Sequence, residues 1–280
     1  MILKDRLLAF KRLQDFLLNP KKESDLKFLI NNACENNPWF TKSNIEYALL
    51  ALGHMLDSRA LHKFSSLYPH NNNIKKVGVV IPSNIPLVGF YDFLCVLLSG
   101  NIFIGKLSSS NNILLPFIGQ ILSAFNSEFK NFIFFEENLR NIDLLIVAGN
   151  DNTAQYFNYK YPKTPKVVRS HRTSVGVISG LEEEKDYKLL SDDIYRYFGL
   201  GCRSVSKLFV PSGFDLHNLK SPFHYNSDFV VNKNYADNYH YQKALCEMRG
   251  IDFIDFNNLL LIESDKLNSP ITVLYYQYYD

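Results

Sequence analysis

Four segments of the chain bring together residue types that could do chemistry. The first is Gly199-Leu-Gly-Cys-Arg-Ser204, where Cys202 follows two glycines and precedes a cation. Thiolate is the nucleophilic form of cysteine, and it needs a polar, accessible, electropositive setting. The glycines allow close backbone approach, and Arg203 could supply positive potential. Taken locally, the same residues also fit a half-buried turn cysteine, since unpaired cysteines usually pack. Cys34, Cys95 and Cys246 fall within apolar helical patterns and read as packing residues. The second segment is Pro82-Ser-Asn-Ile-Pro-Leu87, which follows a strand and leads into a helix. Ligands of open α/β sheets gather at such strand ends, and Asn84 could aim its side-chain NH₂ into the crevice. A helix N-cap is its competing local role. The third, Gly105-Lys-Leu-Ser-Ser109, offers Lys106 to a nucleotide ribose or phosphate, or simply to solvent. The fourth, Ala148-Gly-Asn-Asp-Asn-Thr153, places Gly149 and Asn150 at a helix start that favours an anion, although turn chemistry explains them too.

Strands alternating with helices must position these segments. Residues 1–74 read as helical, from Leu3, Leu7, Phe10, Leu13 and Leu17 at helical spacing. Ser43-Asn-Ile-Glu46 has the form of a capping box, predicting one long helix to about Leu67. From Lys75 the texture turns to short β-branched runs between helical stretches. Val77–Ile81, Asn101–Lys106, Phe132–Phe135 and Asp143–Ala148 are predicted strands, with helices over Pro86–Leu98, Ile113–Phe125 and Asn150–Tyr159. That alternation predicts an α/β fold with a Rossmann-like parallel sheet. No GxGxxG follows the first strand, so an ordinary pyrophosphate turn is absent. We expect a cofactor-binding domain over 75–197 and a catalytic lobe over 198–280.

Composition narrows the function classes. The 280 residues are 46% hydrophobic and 21% charged, enough apolar material for a sizeable core. A net charge of +2 without a basic block argues against a nucleic-acid binder. The longest apolar runs, such as Ile113–Ile118, are too short for a membrane span. Four scattered cysteines without a CxxC pair, and histidines without ligand spacing, predict neither a metal site nor a disulfide framework. A cytoplasmic setting fits that cysteine usage.

In their order, the four segments resemble the aldehyde dehydrogenase superfamily, and within it the LuxC-type acyl-CoA reductases, which reduce fatty acyl thioesters to aldehydes. The matching stretches are Val77-Gly-Val-Val-Ile-Pro-Ser-Asn-Ile-Pro-Leu-Val-Gly-Phe90, Gly105–Ser109, Ala148–Thr153 and Tyr197-Phe-Gly-Leu-Gly-Cys-Arg-Ser-Val-Ser-Lys207. The likeness begins near Asn37-Pro-Trp-Phe40. It implies that Cys202 is the nucleophile and that Asn84, with the Cys202 N–H, forms the oxyanion hole. It further implies that Lys106 reaches the adenosine ribose and that Gly149 and Asn150 lie beside the cofactor pyrophosphate. Pro82, Ser83 and Ser109 complete the candidate cofactor-binding set.

Two departures from the superfamily pattern bear on chemistry. Oxidising members carry a water-activating glutamate where this chain has Val168-Arg-Ser-His-Arg172. Its absence favours reduction, in which hydride resolves the acyl-enzyme. NAD-preferring members place a glutamate three positions after the lysine, where this chain has Ser109, which leans toward NADPH. The expected substrate is a fatty acyl-CoA or acyl-carrier thioester, with homo-oligomer formation open. The alternatives are a non-catalytic nucleotide-binding remnant and an aldehyde-oxidising dehydrogenase. Relatives continue past the strand at Asn268–Tyr275, so an incomplete catalytic lobe with an exposed, aromatic-rich last strand is expected.

Overall fold

A computed structural model describes residues 1–19, 23–68, 73–108, 110, 113–149, 151–169, 172–224 and 232–280. Two compact units divide the chain, Met1–His171 and Arg172–Asp280.

The first unit opens with four helices: α1 (Leu3–Leu18), α2 (Glu23–Asn36), α3 (Lys42–Met55) and α4 (Ser58–Ser66). In α1, Leu7, Phe10, Leu13 and Leu17 are buried at the spacing of one helical face. The single long helix expected from Ser43 to Leu67 is two. Thr41, not Ser43, caps α3 by accepting the Asn44 N–H, and Glu46 pairs with Lys42. Asp57 breaks the run because its carboxylate accepts the Ala60 N–H at 2.8 Å and starts α4.

A five-stranded parallel sheet follows. Its strands are β1 (Lys76–Ile81), β2 (Ile102–Leu107), β3 (Ile133–Phe135), β4 (Leu144–Ala148) and β5 (Lys166–Arg169), in the order β3-β2-β1-β4-β5. Its helices are α5 (Phe90–Leu98), α6 (Leu114–Phe125) and α7 (Asp151–Lys160). Phe103 and Ile104 are adjacent yet both buried, because helices cover both faces of β2. Phe103 meets Phe93 of α5 edge-on at 4.9 Å, whereas Ile104 joins Leu145, Val147 and Phe157 of α7. From β1 the chain winds one way to β2 and β3, then crosses to β4 and β5. The strand order therefore reverses between β1 and β4, the place where open sheets leave a crevice.

The second unit carries β6 (Ser174–Val177), α8 (Glu184–Tyr195), β7 (Val205–Pro211), α9 (Lys220–His224), α10 (Lys233–Arg249), β8 (Ile254–Asp255), β9 (Leu260–Glu263) and β10 (Val273–Tyr279). The sheet order is β6-β7-β10-β9-β8, with only β8 antiparallel to its neighbour. The last strand is thus central and not an exposed edge. Its backbone pairs with β7 from Tyr275 to Tyr279 and with β9 from Val273 to Tyr276. Compactness places the division at Arg172 instead of residue 198. The reason is sheet membership: Val175 to Val177 of β6 pair with Lys207 to Phe209 of β7.

Candidate active site

In the first unit, the candidate residues gather at the carboxyl edge of the sheet. Lys106, Val80, Val147 and Val168 stand side by side in one row across β2, β1, β4 and β5. Pro82, Ser83 and Asn84 therefore leave the sheet at the level where Gly149 leaves β4. Asn84 is half-buried and does not cap α5, whose N-cap is Gly89, five residues on. The helix expected from Pro86 begins instead at Phe90, after a turn in which Phe90 N–H bonds Leu87 O at 2.9 Å. Asn84 is thus held in a loop, and the N-cap alternative is removed.

The Lys106 ammonium donates to the backbone carbonyl of Glu137, just beyond β3. Sequence reading missed Glu137, because the adjacency of β2 and β3 is not written in the chain order. At Gly149, a Cβ would stand 2.9 Å from Thr153 Cβ, so glycine is what allows the chain to pass this close to the first turn of α7. Its N–H donates to Arg169 O at 3.3 Å, tying the β4 end to β5. Ser109 and Asn150 lie outside the described residues. Arg169, at the end of β5, is ion-paired with the largely buried Asp92 in the first turn of α5. A basic residue therefore occupies the strand end where a water-activating carboxylate was looked for.

The sequence pattern assigns no role to Asn37. It is 2% exposed, and its Nδ2 donates to Ser83 O at 2.8 Å while its Oδ1 accepts the Trp39 N–H at 3.0 Å.

In the second unit, Cys202 lies in an exposed turn closed by Ser204 N–H donating to Gly201 O at 3.0 Å. Its own carbonyl accepts the Ser174 hydroxyl at 3.1 Å, which anchors the turn to β6. The approach to this turn is unusual backbone. Tyr197, Phe198 and Gly199 have φ of 54°, 60° and 72°, three consecutive left-handed residues. That conformation costs about 1–2 kcal/mol at each non-glycine position. Burial of Phe198, 1% exposed against Tyr235, contributes about 1.5–3 kcal/mol in the opposite sense. The aromatic anchor thus holds the bend that presents the cysteine. A small recess borders the turn, lined by Phe198, Gly201, Ser204, Tyr235, Asn268 and Thr272 among others.

The other three thiols differ in setting. Burial pushes those of Cys34, Cys95 and Cys246 up from the usual thiol value. Among the described residues, no group of three His, Cys, Asp or Glu side chains could hold a metal ion. No helix among them is long and apolar enough to cross a membrane.

The fold is similar to that of solved aldehyde dehydrogenases. It superposes on an NAD-dependent benzaldehyde dehydrogenase from Corynebacterium glutamicum with a TM-score of 0.73 at 11% identity, covering 99% of this chain and 72% of that one. An aldehyde dehydrogenase from Bacillus cereus, solved as its NAD+ complex, gives 0.72 at 13% identity, covering 100% and 68%. Aldehyde dehydrogenase 21 from Physcomitrella patens, solved with the product succinate, gives 0.73 at 13%, covering 100% and 69%. No curated protein matches the sequence. Residues 37–221 match the family model described as acyl-CoA reductase (LuxC). The chain belongs to the acyl-CoA reductase (LuxC) family.

Proposed function

We propose that the protein reduces a fatty acyl thioester, CoA-linked or carrier-linked, to the aldehyde through an acyl-cysteine intermediate, with NADPH as the reductant. The observation that carries this reading is the setting of Cys202, an exposed thiol in a tight turn, in contrast to its three more buried counterparts. The Cys202 thiolate attacks the thioester carbonyl. Asn84, through its side-chain amide, and the Cys202 backbone N–H stabilise the oxyanion until CoA or carrier thiol leaves.

The residues of the first unit fit a dinucleotide. Gly149 brings the backbone against the start of α7, where N–H groups favour a phosphate. Lys106 stands in the same row of strand ends and offers a cation. Pro82 and Ser83 line the neighbouring strand end, and Ser109 and Asn150 are assigned to the site from sequence. When bound, NADPH supplies the hydride that turns the acyl-cysteine into a thiohemiacetal. Collapse of that adduct expels the Cys202 thiolate and frees the aldehyde. Reduction is favoured over aldehyde oxidation because Arg169 occupies the β5 end and engages the Asp92 carboxylate. On this reading 75–171 acts as cofactor lobe, with the catalytic part beyond it.

The test is incubation of the purified chain with palmitoyl-CoA and NADPH. Aldehyde should form together with stoichiometric loss of NADPH absorbance, and Cys202→Ser should abolish both. Aldehyde formation that survives Cys202→Ser would overturn the mechanism, and no formation by the parent chain would leave the nucleotide-binding remnant as the better account.

A further inference from the structure

Asn37 follows α2 and is locked at both ends of its side-chain amide. Its Oδ1 accepts the Trp39 N–H at 3.0 Å, closing a local turn, and its backbone carbonyl accepts the Phe40 N–H at 2.9 Å. Its Nδ2 reaches across 46 residues of sequence to Ser83 O at 2.8 Å. At 2% exposure, such an amide is tolerated only because these bonds replace water. The Ser83 carbonyl and the Asn84 N–H share one planar peptide unit. Fixing the Ser83 oxygen therefore fixes the plane from which the Asn84 Cα and its side chain depart. Asn84 itself sits beyond the β1 ladder, whose last pair is Ile81 with Leu107, and before the turn that starts α5. The strand ladder alone does not set its orientation.

We propose that Asn37 is a positioning residue for Asn84, setting the aim of the Asn84 amide through the Ser83–Asn84 peptide. This rests on the reading of Asn84 as the oxyanion donor. A polar side chain at the helix-to-loop junction of the N-terminal helices thereby becomes part of the acyl-transfer machinery without touching substrate.

Asn37→Ser isolates the contact. A serine Oγ can still accept the Trp39 N–H, as hydroxyls do in such turns, but it is too short to reach Ser83 O. Single-turnover acylation by radiolabelled palmitoyl-CoA is measured for the parent chain, Asn37→Ser, Asn84→Ala and the double variant. Asn37→Ser should slow acylation by roughly 10- to 100-fold, the scale of a small misplacement of a reacting group. Its KM for palmitoyl-CoA and its rate of alkylation by iodoacetamide, which needs no oxyanion donor, should be unchanged. In the Asn84→Ala background the same substitution should have no further effect. Unchanged acylation in Asn37→Ser, or equal slowing in both backgrounds, would overturn the proposal. Failure of the underlying reading shows separately, as an unacylated parent chain or as an Asn84→Ala variant as fast as the parent. Should Asn37→Ser fail to fold, Asn37→Asp carries the same expectations, because it keeps volume and the Trp39 bond while setting an acceptor against Ser83 O.

Discussion

At the scale of single residues, burial separates the four thiols. Desolvation raises the Cys95 thiol, set in α5 beside Tyr91 and Asp92, and likewise raises the thiols of Cys34 and Cys246. A raised thiol carries less thiolate near neutral pH and reacts more slowly. Cys202 is the exposed one. Local sequence left it open between nucleophile and turn residue, because glycine and arginine neighbours suit both. Asn84 was similarly divided, and backbone geometry removes its capping role, since the helix it would have capped starts at Phe90. Asn84→Ala should accordingly leave α5 intact and dinucleotide affinity nearly unchanged while slowing acylation by roughly 10²–10³, the usual effect of losing one oxyanion donor. Rapid-quench acylation kinetics check this, and an unaltered rate would reduce Asn84 to a loop residue.

At the scale of elements, the strands that carry the candidate residues were legible because β1, β2 and β4 are compact, mostly apolar runs followed by Pro, Ser or Gly. Lys166–Arg169 was not, since β5 is four residues long with a charge at each end and only two valines between. Sequence also withholds which strands are neighbours. That is why Glu137, whose carbonyl holds the Lys106 ammonium, and the central place of β10 emerged only with the sheet order. The Asn37–Ser83 bond was hidden for the same reason. The arrangement of Lys106 at the β2 end bears on cofactor choice. On the proposed assignment of Lys106 to the ribose, a cation there with no carboxylate three residues on should favour NADPH over NADH. A charge-assisted contact is worth about 1.5–3 kcal/mol, so the preference should be roughly tenfold or more. Fluorescence titration with both dinucleotides measures it, and Lys106→Ala should remove most of the difference. Equal affinities in the parent chain, or a preference untouched by Lys106→Ala, would contradict the assignment.

At the scale of the whole molecule, each unit is built on its own sheet, and the unit boundary follows sheet pairing. The stretch from Ser174 to Tyr197 looked continuous with the preceding α/β pattern, because a βα segment has the same local texture in either sheet. Only the pairing of β6 with β7 assigns it to the unit that carries Cys202. The two units share one reaction in this account, and its central claim is that acyl transfer goes to a single thiol. The direct measurement is intact-mass analysis with peptide mapping after incubation with palmitoyl-CoA in the absence of dinucleotide. One palmitoyl thioester on Cys202 is the predicted result. An adduct on Cys34, Cys95 or Cys246, or no adduct at all, would contradict it.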